Sequence, residues 1–170
     1  SQIIEELYVD DAVDMLEELP ANVVKRVLKN ATSETRTLIN QYLQYPENSA
    51  GSIMTAEFID LRASMKVKDA IEHIRHTGDD SEAIYTCYVI DARRVLEGVV
   101  TVKELLLAKD DTLVSDLMER DVISVGTLED QEEVTRVMSK YDLLSLPVVD
   151  NEKRLVGIVT VDDAMDVICP

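Results

Sequence analysis

Residues 146–160 (LPVVDNEKRLVGIVT) restate residues 87–101 (CYVIDARRVLEGVVT) at one fixed offset. Asp91 falls on Asp150, Leu96 on Leu155, Gly98 on Gly157 and Thr101 on Thr160. A spacing held across that many positions is the mark of a duplicated structural unit, and it constrains the fold more than any local propensity does. The second copy can be read whole over 122–168: a strand at 122–125, a helix at 129–141, strands at 146–149 and 155–159, and a helix at 161–168. The first copy reads the same way: strand 57–61, helix 67–75, strands 84–90 and 95–100, helix 102–107. Met54 pairs with Met118 at an offset five residues larger, so the first copy carries extra loop near 76–81 (HTGDDS). Gly98 and Gly157 lie inside strands, where glycine weakens the ladder and marks a close backbone approach or a bulge. Thr101 and Thr160 stand at strand-to-helix junctions, where a hydroxyl can cap the helix.

The first fifty residues contain no strand-like run. Three short amphipathic helices are predicted there: one with Val13, Leu16 and Leu19 inward, one from Pro20 with Val23, Val24, Val27 and Leu28, and one with Leu38, Ile39, Tyr42 and Leu43. They are too few to bury a core alone, so they read as the end of a helical superhelix that docks on its neighbour. Tyr45-Pro46 stops the third, because the residue before proline avoids helical geometry. Residues 48–52 (NSAGS) read as a small-residue linker. The expected division is 1–50 helical, 51–111 first repeat and 112–170 second repeat, in a mixed α+β or α/β fold.

Charge is the compositional outlier: 17 basic residues against 34 acidic give −17. That balance argues against nucleic acid as a partner. No apolar run is long enough to span a bilayer and no secretory leader opens the chain. Two cysteines, Cys87 and Cys169, make no disulfide framework, and Cys87 in an apolar strand reads as a buried, reduced thiol. His73 and His76 are the only histidines, with no nucleophile motif or phosphate loop beside them, so the chain is not read as an enzyme.

The acidic residues are grouped. Asp162, Asp163 and Asp166 share one face of the last helix. Glu129, Asp130, Glu132 and Glu133 crowd the start of the helix before it, and Asp142 follows its end. Aspartates in a first helical turn suit the macrodipole, but an anion at a helix C-terminus does not, and like charges at three or four residues' spacing cost roughly 0.2–0.5 kcal/mol. Asp142, close to the carbonyl of Ser139, fits a hard-cation site. Asp10, Asp11 and Asp14 repeat the theme in the N-terminal helices. A solvated acidic surface and a cation-bridged one both account for these groups. Oxygen-only ligands without a twelve-residue calcium loop fit dispersed Mg²⁺ sites that keep water.

A doubled β-α-β-β-α unit with 98–104 (GVVTVKE) and 157–163 (GIVTVDD) after its last strands resembles a tandem pair of CBS domains. The longer strings 45–55 (YPENSAGSIMT), 130–134 (DQEEV), Tyr141-Asp142, 146–150 (LPVVD) and 155–168 (LVGIVTVDDAMDVI) resemble the cytosolic region of MgtE-type magnesium transporters. The resemblance covers essentially the whole chain, with 1–50 as the end of the family's N domain and the membrane pore absent. It implies a homodimer formed through the CBS domains, on the cytoplasmic face of a multi-pass membrane protein, whose pore is gated by cytosolic Mg²⁺. By position it assigns Glu132, the Ser139 carbonyl and Asp142 to one Mg²⁺ site. Asp162, Asp163 and Asp166 go to an acidic helix facing the N domain and the other subunit, and Asp10, Asp11 and Asp14 to the N-domain side. Some members bind ATP between the CBS domains. Here Asp163 and Thr160 could serve, but Glu104 replaces aspartate and Thr86 and Leu143 offer no aromatic ring, so ATP is not favoured. The alternative function is an adenosine-nucleotide-binding CBS module that regulates another protein.

Overall fold

The computed structural model describes residues 45–80 and 83–168. The three helices expected over 1–44, with Asp10, Asp11 and Asp14, lie outside the described residues. So does Cys169.

Two three-stranded sheets carry the two repeats. The first holds β1 (Phe58–Leu61), β2 (Ala83–Ile90) and β3 (Leu96–Thr101), β1 parallel and β3 antiparallel to β2. The second holds β4 (Val125–Gly126), β5 (Ser145–Val149) and β6 (Leu155–Thr160) in the same order and sense. The registers superimpose: Thr86 opposes Thr101 as Ser145 opposes Thr160, and Val89 opposes Gly98 as Val148 opposes Gly157. Even the bulge recurs, between Val89 and Ile90 and between Val148 and Val149. The helices are α1 (Ala50–Ile53), α2 (Val67–Thr77), α3 (Val102–Leu107), α4 (Val114–Leu117), α5 (Gln131–Lys140) and α6 (Val161–Ile168). A short 3-10 turn at Gly78–Asp80 follows α2 within the extra loop of the first repeat.

Each long helix buries one stripe. Val67 and Ala70 of α2, and Val134 and Met138 of α5, are buried, the one-turn spacing that an amphipathic helix needs. Their first N–H groups, which have no partner inside the helix, are met from the segments that lead into the other repeat. Val67 N–H donates to the Thr112 carbonyl at 2.8 Å and Lys68 N–H to Asp110 at 3.0 Å. Gln131 N–H donates to the Asn48 carbonyl at 2.7 Å. The repeats therefore exchange their leading segments. Met118 packs in the first core with Ile59, Leu61, Val89, Val100 and Leu105, and Met54 in the second with Val134, Leu146, Val148 and Val159. Thr55 and Ile158 exchange backbone bonds of 2.8 and 2.9 Å, as Val99 and Glu119 do at 3.0 and 2.8 Å.

The glycines now have their reason. A Cβ on Gly98 would sit 2.9 Å from the Glu119 carbonyl oxygen, and one on Gly157 would sit 2.6 Å from the Met54 sulfur and 3.0 Å from the Thr55 oxygen. Both glycines lie where the swapped segment crosses the sheet, and neither adopts a positive φ. Close approach, not backbone freedom, selects them.

Two expectations change. Residues 48–52 are not a slack linker: Ala50, Gly51 and Ser52 form the buried helix α1, capped by the Ser49 hydroxyl. Position 51 needs glycine because a Cβ there would meet the Tyr45 ring at 2.5 Å. The strand expected at 122–125 shrinks to two residues. Helix α4 is not among the predicted elements; the other strands and helices fall within two residues of their predicted ends, and Thr101 and Thr160 cap α3 and α6 as expected.

A third apolar cluster joins the sheets: Phe58, Tyr88, Ile90, Leu155 and Ile158. Inside it the Tyr88 hydroxyl bonds the buried Ser145 hydroxyl across the repeats. Removing one partner strands the other, so Tyr88→Phe is expected to lose about 1–2 kcal/mol in urea denaturation, and adding Ser145→Ala to recover part of it. Burial pushes the Tyr88 phenol up to about 12 from 10.0. Because the folded value is the raised one, its contribution is whole below pH 10.0 and fades as pH climbs through about 12. Burial likewise raises the fully buried Cys87 thiol to about 12, which suits the inert, reduced cysteine read from its strand.

Candidate cation-binding faces and a cleft

Helices α5 and α6 pack against each other, and their acidic residues divide into two kinds. Some carboxylates are engaged locally. Asp130 caps α5 by accepting the Glu132 N–H at 2.8 Å, and Glu133 accepts from Arg136 Nε at 2.8 Å, a contact that holds its carboxyl below the usual range. Asp150 accepts from Arg154 Nε at 2.7 Å. Four others face water. Glu132, Asp142, Asp162 and Asp166 are exposed, and no salt bridge among the described residues reaches them. Asp163 is half-buried and its backbone N–H donates to Thr160 Oγ1 at 3.3 Å, so it anchors the start of α6.

Asp142 has a structural role as well as a charge. Its φ is 52°, the left-handed conformation that ends many helices. Leu143 N–H donates back to the Met138 carbonyl at 2.9 Å and Asp142 N–H to the Ser139 carbonyl at 3.4 Å, which together complete a Schellman-type stop. The Ser139 carbonyl is therefore engaged within the helix stop, accepting from Asp142 N–H at 3.4 Å and also from Tyr141 N–H. The Asp142 carboxylate still sits at the negative end of α5, which disfavours an anion. Lys140 does not relieve it: its ammonium lies 5.2 Å from the centroid of the Tyr141 ring.

These groups are oxygen donors, the set that hard divalent cations take. Among the described residues no three His, Cys, Asp or Glu side chains gather as a metal-binding group. Each acidic face thus offers part of a coordination shell. Completion from water or from another surface fits Mg²⁺, which binds through one or two carboxylates and keeps water.

A second feature lies between the repeats on the side of α3. A cleft of about 500 Å³ is lined by Tyr85, Thr86, Thr101, Val102, Lys103, Leu106, Leu107 and Leu144. Thr86 lines this cleft and carries no ring. The structure puts Tyr85, 66% exposed, in the wall, and Leu144 rather than Leu143, which packs on the second core. The three consecutive leucines of α3 were the available clue, since a helix face can bury only one of them: Leu105 is buried and its two neighbours are exposed. Glu104 does not line the cleft. Its carboxylate accepts from Thr101 N–H at 3.0 Å and Thr101 Oγ1 at 2.9 Å in a capping box.

Two swapped β-α-β-β-α repeats, each with a threonine-capped helix after its last strand, define a tandem CBS pair, and residues 50–111 and 114–169 each match the CBS domain family. Residues 1–48 match the MgtE intracellular N domain. The Magnesium transporter MgtE of Thermus thermophilus is 41% identical over 163 residues, covering 94% of this chain and 36% of that protein. The soluble part of a magnesium transporter superimposes with a TM-score of 0.75 at 39% identity, covering 97% of this chain and 64% of that one. The cytosolic domain of the Mg²⁺ channel MgtE in complex with ATP gives 0.75 at 32% identity, covering 98% and 78%. The chain belongs to the MgtE family, in its N-domain and tandem-CBS region. It spans 36% of the length of the Thermus relative. Among the described residues, no helix is long and apolar enough to cross a membrane.

Proposed function

We propose that this region senses cytosolic Mg²⁺ for a magnesium-transporting pore. The carrying observation is that Glu132, Asp142, Asp162 and Asp166 stand exposed on or just beyond two packed helices, reached by no salt bridge among the described residues, in a chain with net charge −17. Without cations, such faces repel one another, the N domain (1–50) and a partner subunit. With Mg²⁺ between them, the compact arrangement wins. Glu132, Asp142 and the Ser139 carbonyl form one face, Asp162, Asp163 and Asp166 a second, and Asp10, Asp11 and Asp14 are its counterpart in the N domain. The CBS domains, at 51–111 and 112–170, pair with a second copy. The compact state holds the pore shut on the cytoplasmic side, which is negative feedback on uptake.

Magnitudes support several weak sites rather than one strong one. An ion at tenfold its dissociation constant contributes about 1.4 kcal/mol. Moving a population from mostly open to mostly closed takes on the order of 5 kcal/mol, hence roughly four ions. Small-angle scattering of the chain is expected to show a smaller radius of gyration in millimolar MgCl₂ than without it. An unchanged radius across that range would refute the switch.

The cleft favours a second reading, adenosine-nucleotide binding, as in the ATP complex of the related cytosolic domain. Tyr85, Leu106 and Leu144 offer apolar surface for a base, and Lys103 a cation for phosphate. Calorimetry with ATP decides it: binding that Lys103→Ala weakens at least fivefold supports this reading, and absence of heat removes it.

A further inference from the structure

The segment that joins the N-terminal residues to the first repeat is not held by the first repeat. Ala50 N–H donates to the Glu129 carbonyl at 2.7 Å and Gly51 N–H to Thr127 at 2.8 Å. Gln131 reaches back twice, its N–H to the Asn48 carbonyl at 2.7 Å and its Nε2 to Asn48 Oδ1 at 3.1 Å. Ser49 and Asp130 form an antiparallel bridge. The half-buried Tyr45 packs on the second core beside Ala50 and Met54. Asn48 takes a φ of 66°, so the chain turns sharply where it meets α5. All these partners lie in the loop and first turn that lead into α5, next to Glu132.

We infer that residues 45–51 act as a coupling strap that fastens whatever precedes them to the first turn of α5 in the second CBS domain, bypassing the first. Backbone pairs of this kind open together or not at all, so strap and helix start form one cooperative unit. Any force on the chain at Pro46 therefore reaches the turn that carries Glu132 before it reaches β1. By linkage, a ligand that orders that turn also orders the strap, and the converse holds equally.

Native-state amide exchange of the full chain tests this without added metal. The amides of Ala50, Gly51 and Gln131 are expected to open with one common free energy. Distinct opening energies on the two sides would overturn the inference. In the double variant Asn48→Gly, Gln131→Ala, which keeps the positive φ and the helix, amides at 50, 51 and 131 are expected to exchange at least tenfold faster, with β5 and β6 unchanged. Acceleration confined to 50 and 51 would overturn it too. A MgCl₂ arm rests on the sensing function proposed above: protection should rise on both sides with one midpoint. Protection rising at α5 alone refutes the coupling. No response on either side, with a common opening energy retained, leaves the strap standing and refutes the sensing.

Discussion

Gly98→Val is expected to lower the unfolding free energy by about 3 kcal/mol, at the upper end of what overpacking costs. The reason is the atom that stands in the way. The Glu119 carbonyl oxygen, 2.9 Å from the position of a Cβ, belongs to a backbone paired to Val99 by two hydrogen bonds, so it cannot retreat without breaking the exchange between repeats. Gly157 meets a like obstacle in the Thr55 oxygen at 3.0 Å, on a backbone paired to Ile158 by two hydrogen bonds, but its nearest contact is the Met54 thioether at 2.6 Å. A flexible methionine can move. Both alanine variants are therefore expected to destabilise, because a hydrogen-bonded backbone oxygen stays in the way at each. Adding Met54→Ala should relieve Gly157→Ala with an interaction energy of about 1 kcal/mol, while Met118→Ala should relieve Gly98→Ala by no more than a few tenths. Urea midpoints at constant m-value measure all of these. Alanine tolerated without cost at both glycines would mean that the crossing segments do not press on the sheets as described.

The same contrast explains what could be read from the chain and what could not. The repeat was legible because alternating strands, in-strand glycines and threonine caps are local patterns, copied twice. The swap of leading segments was not, since nothing at Met54 or Met118 states which sheet each will cover. That knowledge lies in long-range pairing. Residues 48–52 misled for a related reason: Gly, Ser and Ala favour loops, yet here Ala50, Gly51 and Ser52 are buried in a helix, with Tyr45 lying over Gly51. Asp142 could be picked out as an anion at the wrong end of a helix. Its left-handed turn, and the engaged Ser139 carbonyl that follows from it, needed coordinates. Tyr85 escaped because a ring at the edge of a strand looks like any alternating residue until the cleft beside it is seen.

The triple variant Glu132→Gln, Asp142→Asn, Asp166→Asn is expected to raise the Mg²⁺ midpoint for compaction at least tenfold, or to flatten the response. Three neutralised carboxylates change the net charge from −17 to −14, a modest step overall. An effect that large must therefore come from place rather than from total charge. Asparagine suits position 142 because it tolerates the left-handed turn as aspartate does, so the helix stop is kept and only the charge is lost. The metal-free variant should also be more compact than the metal-free parent, since the repulsion that Mg²⁺ normally offsets has been removed. That second signature separates bridging from a lost fold, which would expand the chain instead. NaCl at the ionic strength of the MgCl₂ titration separates bridging from screening. Monovalent salt shortens the Debye length without joining two carboxylates, so it should reproduce only a small part of the parent's response. If NaCl compacts the parent as far as MgCl₂ does, the acidic faces report ionic strength, and magnesium has no privileged place on them.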